Sequence, residues 1–225
     1  MTQTWHDLLF AHWPVSVKTV RAKVPPQFEV DLFDGEAWLS IVAFRMTNVA
    51  PRGVPSLPWV SEFPELNVRT YVRVDDKPGV FFFSLDAGSA VAVAAARAMF
   101  NLPYFPAAMK VIKAGKVTRY ESARESGGSA ELAVTYQPRG RFFTAKEGTR
   151  EHFLTERYCL YNLNRSGGAC RMDIHHPRWH LYDATAAFDR NTMAEAAGFH
   201  INNSPLLHFS PRQDMVCWLP TPVIE

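Results

Sequence analysis

The sequence predicts an α+β protein built on a bent or closed, mostly antiparallel sheet, a β-barrel with short flanking helices. Roughly nine or ten strand-length segments recur along the 225 residues, most of them separated by hairpin-type turn signals. Helix signals are confined to three or four short stretches. Residues 63–73, FPELNVRTYVR, alternate with period two, so that Glu65, Asn67, Arg69, Tyr71 and Arg73 share one face against Leu66, Val68, Thr70 and Val72. Water is the usual neighbour of such a polar row. In a closed sheet covered outside by helices, the row instead lines an internal cavity.

Each element has a local reason. Residues 5–13 form a first apolar strand, and a short helix from Ser16 to Lys23 must stop before Pro25 and Pro26. Residues 29–33 and 36–46 flank Asp34-Gly35, a dipeptide that tolerates positive φ at both central turn positions, and are expected to pair as a hairpin. Residues 51–64 hold four prolines in a loop, a lid or belt over a barrel end. After the polar-faced strand, Lys77-Pro78-Gly79 is expected to turn the chain into a Phe-rich strand over residues 80–85. Ser89 caps a helix to Phe100 whose Ala and Val run, broken only by Arg97, predicts burial on most sides.

Residues 117–122 and 130–137 pair around Ser126-Gly127-Gly128, with a basic loop expected over residues 138–148. Thr149 caps a helix through Leu154. Residues 157–164 and 169–176 then pair across the Asn164–Gly168 turn, and residues 179–188 are extended. Thr192 and Glu195 have capping-box spacing for a short helix ended by Gly198, and residues 213–219 are the last strand.

Composition narrows the partners. With 47% hydrophobic and 13% aromatic residues, the chain can bury one sizeable core, and one domain over residues 1–225 is expected. The 24 Lys and Arg against 22 Asp and Glu show no basic stripe, which argues against nucleic acid. No apolar run approaches the roughly 20 residues of a membrane-spanning helix, and the start lacks a basic stretch followed by an apolar one. A cytoplasmic protein with no membrane partner is expected. Cys159, Cys170 and Cys217 read as buried small hydrophobes, neither disulfides nor nucleophiles. A homodimer is only the default expectation.

The stretches FAHWPV, LFDGEAWLSIVAF, FPELNVRTYV, KPGVFFFSLDA, NLPYF, FLTERYCLY, DIHH and PLLHFS, in that order, resemble the YqjF-like family of bacterial proteins from about Trp5 to Trp218. That family looks like a branch of the acetoacetate-decarboxylase-like superfamily, and the resemblance implies a cone-like barrel with helices outside and a ligand cavity inside. Decarboxylases of that group use a Schiff-base lysine beside a second lysine. The corresponding stretch here, after Tyr104-Phe105-Pro106, has Ala107 and Ala108. Lys110 and Lys113 follow a few residues later, but without an adjacent ammonium a lysine stays protonated at neutral pH and is a poor nucleophile. The resemblance also implies an inward carboxylate at Glu65.

The residues themselves support several readings of a site. A desolvated Glu65 can act as acid or base, and Arg69 can hold a substrate carboxylate; these two are the catalytic candidates. Asn67, Tyr71, Tyr104, Arg157 and His175 are the ligand-binding candidates. The plainer alternative is that the polar row faces solvent or makes structural hydrogen bonds. In Glu156-Arg157-Tyr158, a structural salt bridge such as Glu156–Arg69 or Arg157–Glu65 is the simpler reading. His175 and His176 point to opposite faces of a strand and no metal-ligand spacing accompanies them, so neither a metal nor another cofactor is expected. His12 and His208 are hydrogen-bonded core residues. The Asp86–Ser89 turn opens a helix whose free amides suit an anion, although Asp86 opposes one.

Three functions are compatible with these residues: an enzyme acting on a small carboxylate or carbonyl compound without a Schiff-base lysine, a non-catalytic carrier of an amphipathic metabolite, or an interaction protein using its two long loops.

Overall fold

The computed structural model describes residues 1–53 and 61–223. The part of the expected proline-rich loop at 54–60 lies outside the described residues. In chain order the elements are β1 (Thr2–Val15), α1 (Val17–Arg21), β2 (Glu29–Val30), β3 (Ala37–Ala50), β4 (Phe63–Val74), β5 (Lys77–Ala87), α2 (Ala90–Phe100), β6 (Tyr104–Ala114), β7 (Val117–Arg124), β8 (Glu131–Phe143), α3 (Arg150–Thr155), β9 (Cys159–Leu163), β10 (Ala169–His175), β11 (Leu181–Asn191), α4 (Met193–Ala196), β12 (Leu206–Cys217) and β13 (Thr221–Pro222).

All thirteen strands belong to one sheet, which closes on itself twice. The larger ring runs β5-β6-β7-β8-β11-β12-β1-β3-β4 and back to β5. Its interior is filled by Leu66, Val68 and Val72 of β4 packed with Tyr120, Leu132, Val134 and Tyr136 of β7 and β8. The smaller ring shares β5, β4, β3, β1 and β12 and is completed by β10 and β9. Pairing is antiparallel except where β5 meets β6 and β9. The polar face of β4 looks into this second ring. Its back is therefore covered by sheet, whereas the sequence suggested helices.

A bulge in β5 adapts the Phe run to both compartments. Opposite Val68 and Arg69, β5 offers Ser84 and Phe82, leaving Phe83 as the extra residue. Parity switches there: Phe81 and Phe83 pack into the larger core, while Phe82 and Leu85 face the smaller ring. Strands β5 and β9 come close at Gly79, where a Cβ would lie 2.8 Å from the carbonyl oxygen of Cys159 and 2.7 Å from the Tyr161 ring. Backbone cannot yield as a flexible side chain can. Gly79→Ala is expected to cost about 1–3 kcal/mol of unfolding free energy by overpacking, measured by urea denaturation; an unchanged midpoint would remove the close approach as a constraint.

Several local expectations are corrected. Asp34 and Gly35 do adopt positive φ, but Phe33 and Glu36 form only an isolated bridge, and β2 pairs with β4 instead of β3. The β4–β5 turn falls at Asp75-Asp76, with Asp75 at φ 50°, so Lys77, Pro78 and Gly79 are already strand. Strand β6 occupies residues not assigned as strand, and β8 extends through Phe143 into the expected basic loop. Phe63 and Pro64, read both as the end of the loop and as the start of the alternating strand, open β4, and Pro64 accepts a hydrogen bond from the Gly88 amide through its carbonyl. Ser16, Ser89 and Thr149 cap their helices, but Thr192 makes no cap bond; its hydroxyl accepts from the Glu131 amide of β8. Helix α2 is exposed on most of its surface, with only Val93 buried. Among the described residues no helix is long and apolar enough to cross a membrane.

Candidate functional site

Alternation along β4 places Glu65, Asn67 and Arg69 on the inner wall of the smaller ring, at 4%, 4% and 9% exposure. Across from them stand Leu160 of β9, Met172 and Ile174 of β10, and Met215 and Cys217 of β12. Phe10 and Phe44 from β1 and β3, Phe82 and Leu85 from β5, and Trp179 complete apolar walls around a cavity of about 80 Å³. That is space for a few waters or a ligand of a handful of heavy atoms.

The two charged ends of the row differ. Glu65 accepts a 2.9 Å hydrogen bond at Oε2 from the Tyr104 hydroxyl. Burial pushes its carboxyl up to about 8 against the opposing effect of that bond, and the nearby Asp86 adds to the rise. At neutral pH Glu65 is therefore mostly a neutral acid, and with Oε2 taken by Tyr104 its proton is free to sit on the other oxygen. Arg69 donates from Nη2 to the Leu154 carbonyl at 3.2 Å, its Nε is buried without an acceptor, and no carboxylate among the described residues pairs with it. Its guanidinium lies 5.8 Å from the Phe10 ring centroid. The Asn67 amide oxygen between the two is also buried without a donor.

The remaining candidates separate. Tyr104 and Arg157 line the cavity. Arg157 is already neutralised, donating from Nη1 to Asp31 at 2.6 Å and from Nε to the Phe153 carbonyl at 2.6 Å. The structural salt bridge expected of this segment is thus formed, but with Asp31 and in neither suggested pairing: Glu156 accepts from the Tyr158 hydroxyl and, at 3.1 Å, from the Trp179 amide. Tyr71 does not line the cavity. Fully buried, it donates to the same Leu154 carbonyl at 2.9 Å and contacts Ser40 Oγ at 2.6 Å, which in turn lies 2.5 Å from His12 Nδ1. Tyr71 thus props the carbonyl that Arg69 uses.

His175, expected toward the interior, is exposed, and His176 lines the cavity. Even-numbered β10 residues face inward, as Met172 and Ile174 show, so parity selects His176. Its ring stacks on Tyr158 at 4.7 Å, and burial holds its pKa below the usual histidine value. His12 and His208 are buried as expected, with ring centroids 5.6 Å apart. The three cysteines are buried and free. Among the described residues no lysine lines the cavity: Lys110 is exposed, and Lys113 pairs with Asp7 at 2.5 Å elsewhere. Asp86, expected to oppose an anion at the α2 N-terminus, binds Arg124 at 2.7 Å. Among the described residues no cluster of three His, Cys, Asp or Glu side chains could hold a metal.

Comparisons with known proteins bear on the family and the fold. The model of the family DUF2071, "Uncharacterized conserved protein", matches residues 2–214. The chain is 45% identical over 219 residues to Uncharacterized protein YqjF of Bacillus subtilis (strain 168), covering 97% of this chain and 90% of that one. Its fold is similar to an acetoacetate decarboxylase from Legionella pneumophila, with TM-score 0.69 and 12% identity over 99% of this chain and 87% of the other. It is also similar to the enduracididine biosynthesis enzyme MppR complexed with pyruvate, with TM-score 0.64 and 9% identity over 98% and 89% of the two chains.

Proposed function

Given that the chain belongs to the DUF2071 family and has the fold of acetoacetate-decarboxylase-like enzymes, we propose that its cavity binds a small carboxylate, with Arg69 as the anchoring cation and Glu65 as an acid–base group. The observation that carries this reading is the Arg69 guanidinium, buried among apolar walls with no carboxylate partner among the described residues. An uncompensated buried charge costs several kcal/mol. Glu65 cannot offset it at neutral pH because it is mostly protonated, and Arg157 is balanced by Asp31. The cavity is therefore net positive, and a ligand carboxylate supplies the missing charge through charge-assisted hydrogen bonds.

Glu65 would meet the far part of such a ligand as a hydrogen-bond donor, suited to a carbonyl oxygen. Proton delivery from it needs no lysine, so any chemistry here differs from Schiff-base decarboxylation. That one neighbour of similar fold is complexed with pyruvate supports a small keto acid as ligand. A carrier that releases its ligand unchanged is the second reading, favoured by the predominantly apolar walls.

Isothermal titration with acetate and pyruvate tests the anchor. Arg69→Met is expected to weaken either carboxylate at least tenfold, in line with the loss of a charge-assisted pair worth about 1.5–3 kcal/mol, while the melting temperature without ligand stays level or rises because an unpaired buried charge is gone. Equal affinity in the variant would end the proposal.

A further inference from the structure

The exposed apolar side of α2 lies beside this cavity. A groove of about 170 Å³ runs between α2 and the β1–β3 side of the sheet, walled by Met46, Val49, Phe63, Ala92, Ala96 and Met99. On the helix Val91 is 65% exposed and Met99 55%. Two residues, Gln3 and Tyr104, belong both to this groove and to the buried cavity. The Gln3 side chain is held by the Trp5 indole at 2.9 Å, and Tyr104 by Glu65. These two side chains thus stand on a wall common to an apolar trough and a positively charged pocket.

We propose that cavity and trough form one bipartite site for an unbranched aliphatic monocarboxylate, a fatty-acid-like ligand whose head sits at Arg69 and whose chain passes Glu65 and Tyr104 into the trough under α2. The inference rests on Arg69 being a carboxylate anchor and extends it to the class of ligand. Order along β4 fits this arrangement. Arg69 lies four residues beyond Glu65, roughly 13 Å between backbone positions at the strand rise, a gap that the two side chains narrow, so a molecule that runs from Arg69 beyond the Glu65–Tyr104 pair must be long and narrow. The cavity of about 80 Å³ holds the head and the first carbons only. The remaining chain needs an apolar surface continuous with that cavity, and the α2 trough supplies it. Charge agrees as well: the side chains named on the trough walls are uncharged, whereas the unpaired cation lies at the inner end.

The test is titration calorimetry with acetate, butyrate, hexanoate, octanoate and decanoate below their micelle concentrations. Once the chain passes Tyr104, affinity is expected to rise about fourfold per added methylene, the factor that corresponds to burying one CH₂. Ala96→Glu and Met99→Asp, which place a charge on the trough, are expected to weaken octanoate at least tenfold and leave acetate unchanged. Met99 is exposed, so its variant remains informative if Ala96→Glu disturbs the helix. If acetate binds but affinity stays flat from butyrate to decanoate, the bipartite site is overturned while the Arg69 anchor stands. Failure of every carboxylate, acetate included, overturns both. A wild-type dimer in sedimentation that Met99→Asp dissociates, with octanoate binding unaffected, would assign the trough to a second copy and overturn the proposal.

Discussion

Between about pH 5 and pH 8.5 the protein is expected to lose about 3.5–4 kcal/mol of stability relative to its Glu65→Gln variant, because the Glu65 carboxyl titrates at about 8 when folded against an ordinary value of 4.5. The sign follows from proton counting. In that window the unfolded chain has released the proton and the folded chain still holds it, so stability falls as pH rises from 4.5 and levels off above the folded value. An amide at position 65 keeps an oxygen to accept from Tyr104 and has no proton to lose.

The buried histidines act in the opposite sense. Burial lowers the pKa values of His12, His176 and His208, so their contribution grows as pH rises through the ordinary histidine value. Wild type and variant share that contribution, and the difference between their curves isolates Glu65. At 2–4 °C per kcal/mol for a chain of this size, the gap in melting temperature should open by roughly 10 °C. Carboxylate buffers must be absent. Parallel melting curves across the window would show that Glu65 is solvated and would remove its acid–base role.

Much of the fold is legible because its signals are local. Serine and threonine at Ser16, Ser89 and Thr149 announce helix starts, and strict alternation announces β4. What alternation cannot state is which neighbour each face receives. The second closure of the sheet needs, besides the β10–β12 pairing, a single parallel pair between Val80 and Leu160, residues 80 positions apart, and nothing near either of them signals it. The β5 bulge is equally hidden, since three successive phenylalanines carry no mark of which one is extra. Strand β6 escaped notice because its burial is irregular, with Lys110 and Ala114 on an exposed stretch that looks like linker.

The site was legible as a row but not as a constellation. Glu65, Asn67 and Arg69 follow from period two on one strand; Trp179, Thr155 and Gln3 arrive from elements distant in sequence, and no spacing foretells them. His176 could have been found. Met172 and Ile174 are apolar while Arg171 and Asp173 are charged, and extending that alternation sends His175 outward and His176 inward. Tyr71 obeys the same parity as Arg69, yet α3 covers the ring at that level and turns it into a prop instead of a ligand contact.

Arg124→Met is expected to cost about 3–5 kcal/mol of stability, the usual penalty for leaving one charge of a buried pair uncompensated. Asp86 is fully buried, and Arg124 meets it through Nε at 3.1–3.2 Å and Nη2 at 2.7 Å, with its guanidinium 4.0 Å from the Phe105 ring centroid. Position matters as much as pairing. The larger ring closes where Leu85, Asp86 and Ala87 meet Tyr104, Phe105 and Pro106, so this ion pair straddles the seam. Replacing both partners, Asp86→Asn with Arg124→Met, removes the stranded charge and is expected to recover most of the loss, because such a pair returns little net stability beyond its own desolvation. Urea unfolding of the four proteins in a double-mutant cycle gives the coupling directly. A double variant as unstable as Arg124→Met alone would mean that packing against Phe105, not charge, holds the seam. Because the Asp86 charge adds to the rise of the Glu65 carboxyl, the single variant, which leaves that charge uncompensated, should not lower the Glu65 pKa, whereas the double variant, which removes it, should lower the value while burial keeps it above 4.5.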